Sequence, residues 1–110
     1  MIERIILARP RAEITDDQRD ALVAAAHKAF ETIPGVLSFT FGISEDPDES
    51  NAWHLRIRFQ DEAALHAFDA HPAHVNFMIQ RWRPAMMGYS VRDYQVRLDA
   101  TFPPQATSKM

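Results

Sequence analysis

Cysteine is absent from this chain of 110 residues, and glycine occurs only three times. The lack of cysteine excludes disulfides, thiol nucleophiles and thiolate metal sites, and it favours a reducing compartment, so we expect a cytoplasmic protein. With so few glycines there is no phosphate-binding glycine loop, and no serine lies in a nucleophile-elbow motif. The sequence therefore carries no motif that would bind a cofactor, and we expect none.

Long apolar runs and an excess of positive charge are also missing. The longest apolar stretches are only a few residues, too short to cross a bilayer, so we expect no membrane partner. No small-residue cleavage site follows a long apolar region, so no signal peptide is expected. The net charge of −3 gives no electrostatic reason to expect nucleic acid as a partner. The length suits one domain with a substantial core.

Apolar periodicity predicts an α+β domain with the element order β-α-β-β-α-β. Residues 52–59 alternate between apolar and polar side chains, and Thr15 begins a capping-box pattern with Gln18 ahead of a helical apolar stripe. The predicted strands cover residues 2–8, 36–43, 52–59 and 89–96, and the predicted helices cover 15–32, 61–70 and, interrupted at Pro84, 71–87. This order is typical of a ferredoxin-like protomer, in which a four-stranded antiparallel sheet carries its helices on one face.

Two segments lie outside this pattern. Residues 44–51 are rich in polar turn formers and predict an exposed loop. From Ala100 onward the chain holds two consecutive prolines and no periodicity, which predicts a tail. We therefore divide the chain into one domain over residues 1–96 and a C-terminal tail over residues 97–110.

The sheet face away from the helices has a mixed composition. If the apolar side chains of the third strand lie under the helices, its other face shows His54, Arg56 and Arg58 beside acidic and aliphatic residues of the first strand. This face is too apolar to be plainly solvated and too charged for an ordinary core. Packing against a second copy, with the arginines paired to Glu3 or Asp93 of either chain, would resolve the conflict. The alternative is a monomer with a wet, basic sheet face.

Histidines cluster in the sequence His71-Pro72-Ala73-His74. Pro72 suits the first turn of a helix, where its missing N–H has no partner to lose, so His71 is expected at the N-cap or at the corner. Four side chains then recur at helical spacing and share one face: His74, Phe77, Met78 and Trp82. An imidazole in an apolar stripe either takes part in chemistry or is a core histidine bonded to a backbone carbonyl. The spacing alone does not decide between these two roles.

The chain resembles the stress-responsive dimeric α+β barrel family, known as Dabb, over residues 1–96. The resemblance is carried by an opening strand and by four segments: Ile33-Pro34-Gly35-Val36, Phe59-Gln60-Asp61-Glu62-Ala63, Phe68-Asp69-Ala70-His71-Pro72-Ala73-His74-Val75-Asn76-Phe77 and Val91-Arg92-Asp93-Tyr94. The HPxH element in the third of these is the most specific part. The resemblance implies a dimeric α+β barrel, in which the sheet of a ferredoxin-like protomer pairs with that of a second protomer to form a homodimer.

Family members include cofactor-free polyketide cyclases and lyases, with a pocket between sheet and helices, and stress-induced proteins of unclear chemistry. The resemblance implies that His74, the second histidine of HPxH, is the base. Where the cyclase-like members carry a tyrosine or a histidine, this chain has Phe68, Arg4 and Trp53. These departures argue against the cyclase reaction itself, but a pocket between sheet and helices is still expected.

We therefore expect a proton-transfer enzyme in which His74 and Arg4 are the catalytic residues. A partly apolar site lowers the pKa of an imidazole, which keeps it neutral and basic at pH 7. A cation beside it favours a small aromatic or polyketide-like substrate with a carboxylate, phenolate or enolate, in cyclase, isomerase or lyase chemistry. The substrate-binding walls are expected from Trp53, Phe68, His71, Phe77 and Phe30.

Other interpretations remain open at this point. Arg4 can pair with an acid such as Asp93 while His74 only anchors the HPxH corner, in a non-catalytic dimer that binds a ligand or assembles under stress. An open pocket beside His74 favours the enzyme, and a pocket filled by its aromatic walls favours the alternative. A monooxygenase-like activity has no motif that specifies it. His71 and His74 have a spacing suited to a shared metal, but no third ligand is suitably placed, so no metal site is expected.

Overall fold

The computed structural model describes residues 1–49 and 51–105, which form one sheet and a set of helices. The strands are β1 (Ile2–Pro10), β2 (Val36–Ile43), β3 (Trp53–Phe59) and β4 (Met86–Gln95). The helices are α1 (Asp16–Phe30), α2 (Glu62–Ala70), α3 (Pro72–Phe77) and α4 (Arg83–Ala85), with a π-helical turn over Met78–Trp82 and a short 3-10 helix over Pro47–Glu49. Within the described residues, none of these helices has the length and apolar character needed to cross a membrane.

The four strands lie in the order β2-β3-β1-β4, and each neighbouring pair is antiparallel. The predicted ferredoxin-like arrangement is therefore confirmed. The central strand β1 places Arg4 opposite Ile57 of β3 and opposite Asp93 of β4. Residues directly opposite one another share a face of the sheet. These three side chains therefore lie on the same side, under the helices.

The core lies between the helices and this inner sheet face. Strand β3 buries its four alternating apolar side chains there: Trp53, Leu55, Ile57 and Phe59. Helix α1 adds Leu22, Ala26 and Phe30, and its start has the predicted capping box. The Gln18 N–H donates to Thr15 Oγ1 at 3.1 Å, and the Thr15 N–H donates to Gln18 Oε1 at 2.9 Å.

Strand β2 departs from the expected alternation at Leu37. The pairing with β3 steps from Val36 opposite Phe59 to Ser38 opposite Arg58, so Leu37 is an extra residue in a bulge. Leu37 is consequently exposed, whereas its predicted neighbours on the inner face, Phe39 and Phe41, pack against the core.

The segment after α2 is more continuous than the sequence predicts. His71 caps α3, and Pro72 follows in its first turn, as expected. The expected interruption at Pro84 does not occur. The Arg83 N–H donates to the Met78 carbonyl, five residues back, and the chain stays helical to Ala85. This wide turn lies just ahead of Pro84, which has no N–H for the carbonyl four residues before it.

Strand β4 begins at Met86, three residues before the predicted start, because Met86 still pairs with Pro10 of β1. Its Asp93 lies on the inner face, so it does not pair with the arginines of the outer face within the chain. Those arginines share Glu3 instead: Arg58 Nε lies 3.1 Å and Arg56 Nη1 lies 3.4 Å from Glu3 Oε1. Beyond β4, residues 97–105 contain neither helix nor strand, and the rest of the predicted tail, 106–110, lies outside the described residues.

Candidate functional site

A cavity of about 130 Å³ lies between the inner sheet face and the helices. It brings together five of the seven predicted site residues: Arg4, Phe30, Phe68, His74 and Phe77. The remaining walls are mostly aliphatic or aromatic side chains from all of the central elements: Ile6, Leu55, Ile57, Met78, Trp82, Tyr89 and Val91. An open, predominantly apolar space therefore lies beside His74, which is the arrangement that favours a substrate pocket.

Trp53 and His71 do not line this cavity. Trp53 is buried at the far end of β3, where its ring packs edge-on against Phe41 and lies 6.4 Å from that of Trp82. His71 has a backbone role, because the Ala73 N–H donates to its Nδ1 at 3.1 Å and so begins α3. His71 thereby sets the start of the helix that carries His74, one turn further on.

Arg4 is the charged residue at the floor of the cavity, and two carboxylates enclose it. Its Nη1 and Nη2 donate to the Asp69 oxygens at 2.6 and 3.1 Å. Its Nε and Nη2 donate to the Asp93 oxygens at 2.8 and 3.1 Å. The guanidinium thus makes a two-pronged contact with each acid, and it ties the end of α2 to strand β4.

This cluster carries one cation and two carboxylates, so it has an excess of one negative charge. Burial by itself lowers the pKa of Arg4, but the hydrogen bonds to Asp93 and Asp69 outweigh it and raise that pKa above its usual range. Arg4 is therefore charged and committed to its two partners. The pairing of Arg4 with Asp93, which the sequence left open as an alternative, is found. Arg4 therefore brings no unpaired positive charge to the cavity, and its catalytic role stays a prediction.

His74 lies against the aromatic walls. Its ring centroid is 4.2 Å from that of Phe68 and 6.1 Å from that of Phe30. Burial lowers the pKa of His74, and the backbone carbonyl and carboxylate of Asp69 oppose this in part, while Arg4 and Arg83 add to the lowering. The imidazole is consequently neutral at pH 7, the form that accepts a proton.

The ring nitrogens of His74 make no well-formed hydrogen bond with the residues described here. Nδ1 is sealed from solvent, and Nε2 is not among the sealed atoms. The backbone carbonyl of Asp69 nevertheless lies close enough to the ring to raise its pKa in part. The geometry is therefore compatible both with the core-histidine role and with a catalytic one.

Three contributors to the site were not singled out in the sequence. Asp69 lies inside the HPxH-bearing segment, and its role depends on a contact with Arg4 across 65 residues of chain. Trp82 was placed on the correct helical face, and Tyr89 packs edge-on against it with ring centroids 5.7 Å apart. A signal for Tyr89 was available, because it alternates with Val91 and Asp93 along β4.

Metal-binding groups do not converge in the described part of the chain. No three side chains among its histidines, aspartates and glutamates are grouped to hold an ion. His71 is occupied as a helix cap, and the exposed His27 and His66 lie on helix surfaces.

The fold and the cavity define a class: a ferredoxin-like α+β domain with a small apolar pocket between sheet and helices. The family model of the stress responsive A/B barrel domain matches residues 2–96. The chain therefore belongs to the stress responsive A/B barrel family, as the HPxH resemblance predicted. No curated protein matches the sequence.

Several solved structures share the fold. A Dabb family protein with a ferredoxin-like fold from Mesorhizobium loti is 24% identical, with a TM-score of 0.77 over 89% of this chain and 97% of that one. A dimeric ferredoxin-like protein of unknown function from Thermobifida fusca is 20% identical, with a TM-score of 0.74 over 86% and 90%. A hydroxynitrile lyase from Passiflora edulis is also 20% identical, with a TM-score of 0.74 over 93% and 96%. The fold thus occurs both in an enzyme and in a protein of unknown function.

Proposed function

We propose that this protein is a cofactor-free proton-transfer enzyme of the cytoplasm, in which His74 is the general base. In a reaction of the lyase, isomerase or cyclase type, Nε2 takes a proton from a carbon or oxygen atom of the substrate. The resulting imidazolium then returns the proton to the product or to the leaving group. A similar fold carries lyase chemistry in the hydroxynitrile lyase from Passiflora edulis.

The observation that carries this proposal is the neutral imidazole at an open cavity. General-base catalysis needs an unprotonated group with a near-neutral pKa within reach of the substrate. His74 lines the cavity, burial keeps its imidazole neutral, and Nε2 makes no hydrogen bond with the described residues. Burial lowers the pKa of a purely structural histidine as well, so the open cavity beside His74 is what supports the catalytic role.

The charge of the site limits the class of substrate that the cavity can bind. Since both carboxylates of the Arg4 cluster stay with the guanidinium, the cavity floor offers no free positive charge. A strongly anionic substrate would find no unpaired counter-charge in this predominantly apolar space. We therefore propose a small aromatic or polyketide-like substrate that enters in its neutral form and becomes an anion only on deprotonation.

Deuterium exchange tests the general base directly. In D₂O, the unaltered protein should catalyse the replacement by deuterium of the hydrogens next to the carbonyl group of small neutral ketones. Proton NMR measures the rate of this exchange. His74→Gln should slow this exchange by about a hundredfold or more, since general-base catalysis typically contributes at least that much. His66→Gln is the matched control, because His66 is exposed on α2 and far less enclosed.

The outcomes separate the two function classes. Full exchange in folded His74→Gln protein would contradict the general-base role. Binding of ketones without any exchange would favour the alternative function, a non-catalytic stress-responsive protein that binds a ligand in this cavity.

We also propose that the outer sheet face forms a homodimer. Leu7 is 55% exposed on this face, beside Glu3 and its two arginines, and a protein of the same fold from Thermobifida fusca is dimeric. Sedimentation should give a dimer for the unaltered chain and a monomer for Leu7→Asp, because a carboxylate at the centre of the interface would be buried without a partner. A monomeric wild type would contradict the proposal and would mean that the outer sheet face is exposed to solvent.

A further inference from the structure

The indole N–H of Trp82 is a second buried polar group at the cavity without a partner. Trp82 is only 3% exposed and lines the cavity together with His74. Its Nε1 is sealed from solvent and finds no acceptor in residues 1–49 and 51–105. Buried N–H groups in folded proteins are nearly always hydrogen-bonded, so an unpaired one at a binding cavity indicates a partner that arrives with the ligand.

Trp82 lies at the end of a π-helical turn in the cavity wall. Regular helical spacing already places Trp82 on the broad apolar face of His74, Phe77 and Met78. The turn over Met78–Trp82 contains one extra residue, which brings Trp82 closer to the centre of that face, and Arg81 remains exposed. Such turns are rare, and they occur frequently at functional sites.

The chemistry of the cavity limits what the N–H can bind. The walls are predominantly apolar, and among the described residues that line the cavity the charged one is Arg4, which is paired with Asp69 and Asp93. The volume of about 130 Å³ is close to that of the apolar cavity of about 150 Å³ that holds a benzene molecule. An uncharged hydrogen-bond acceptor on a molecule with a small apolar body fits these limits.

We infer that Trp82 is a specificity-determining residue, whose indole N–H donates to the uncharged carbonyl oxygen of a small, mostly apolar ligand. This inference rests on the proposed function, because it takes the cavity as the substrate site. When His74 removes a proton from the carbon next to the carbonyl, the charge moves to the oxygen that Trp82 contacts, where a preorganised donor is most effective. The same proton returns from the imidazolium to carbon, so no other reactant is consumed.

Three probes with a common benzene ring test the inference: acetophenone has a neutral carbonyl, ethylbenzene has no acceptor, and benzoate has a charged one. Binding is followed through the two indole N–H signals of the unaltered, ¹⁵N-labelled protein. Acetophenone should shift the Trp82 N–H signal downfield, ethylbenzene should not, and benzoate should bind most weakly of the three. Because the chain has two tryptophans, either variant described below assigns both signals, so this part of the test remains decisive if Trp82→Phe fails to fold.

Two tryptophan variants assign the signals and measure the contribution of the N–H. Trp82→Phe should weaken acetophenone binding by about tenfold, as expected for one neutral hydrogen bond, and should change ethylbenzene binding little. Trp53→Phe is the matched control, because Trp53 is equally buried and does not line the cavity; it should leave acetophenone binding unchanged. The inference is overturned if acetophenone fails to bind, binds without moving the Trp82 signal, or binds less tightly than benzoate.

Failure of the inference and failure of the proposed function give different results. If acetophenone contacts Trp82 but shows no His74-dependent deuterium exchange at its methyl group, the role of Trp82 is supported and the proposed proton-transfer function is contradicted. If deuterium exchange depends on His74 but is unaffected by Trp82→Phe, the proposed proton-transfer function is supported and the role of Trp82 is contradicted.

Discussion

The two faces of the sheet each hold an ion-pair cluster on strand β1, with a cation at the centre of the inner one and an anion at the centre of the outer one, where Arg58 also pairs with Asp99 at 2.9 Å. On the inner face, Arg4 is held by two carboxylates, and its side chain is 10% exposed. On the outer face, Glu3 is shared by two arginines, of which Arg56 is 43% exposed. Alternation along one strand thus places a cation and an anion one residue apart on opposite faces of the sheet. Each is the enclosed centre of its cluster, since the Glu3 side chain is only 15% exposed, and each has more exposed partners.

The comparison shows that arginine–carboxylate ion pairs have different structural consequences on the two faces. The inner cluster ties α2 to β4 and leaves a cavity floor without a free cation. The outer cluster joins β1 to β3, and the pair made by its exposed member Arg56 contributes little stability because water and salt screen it. Position beside the cavity, rather than burial, therefore decides which cluster shapes the site.

The largest expected difference between the faces concerns apolar side chains. Phe68 is fully buried against Phe59 and His74, so Phe68→Ala should lower the free energy of unfolding by about 3–5 kcal/mol, the range for a buried aromatic ring. Leu7→Ala on the outer face should lower it by less than about 1 kcal/mol in a monomer, as for a surface position. Urea unfolding measures both values. A large effect of Leu7→Ala that grows with protein concentration would show that a second copy covers the outer face.

Substitutions of the arginines in the two ion-pair clusters should change the free energy of unfolding by amounts that differ less than those for Phe68 and Leu7. Arg4→Met should lower the free energy of unfolding by about 2–3 kcal/mol, somewhat below the range for fully buried pairs because Asp69 and Asp93 keep part of their contact with water. Arg56→Met should lower it by at most about 1 kcal/mol. Urea unfolding at low and high salt measures the two effects, and only that of Arg56→Met should shrink in high salt. Equal effects of the two substitutions would show that the exposure of an arginine does not decide its contribution to stability.

The smallest expected effect is a pH dependence that only the inner face should show. The pKa of His74 is lowered in the folded chain, so the unfolded chain binds more protons at this residue between that lowered pKa and the usual value of about 6.5. The contribution of His74 to stability is therefore complete above about pH 6.5 and is lost as the pH falls through the folded pKa. Thermal unfolding from pH 5 to 8 should show a steeper loss of stability in the wild type than in His74→Gln.

The control for this pH effect is His54, which lies half-buried on the outer sheet face. His54→Gln should retain the pH dependence of the wild type. A His74→Gln profile that is superimposable on that of the wild type would contradict the lowered pKa and, with it, the neutral base on which the proposed function depends.

Local patterns in the sequence were sufficient for much of the fold. The capping box at Thr15, the proline after His71 and the alternation along β3 each depend on residues a few positions apart. Their consequences were predicted correctly because the helical and strand periods are properties of neighbouring residues. The bulge at Leu37 and the π-helical turn before Pro84 were missed, since each depends on how the element meets its partner in the fold.

By itself, the sequence determined the order of the elements, the family and the position of His74 on an apolar helical face. Only the tertiary structure decided that Arg4 is held by two acids, 65 and 89 residues away along the chain, and that a π-helical turn brings Trp82 toward the centre of the cavity wall. The physical reason is that charge neutralisation and burial depend on which distant residues the folded chain brings together. Periodicity shows only which face a side chain occupies.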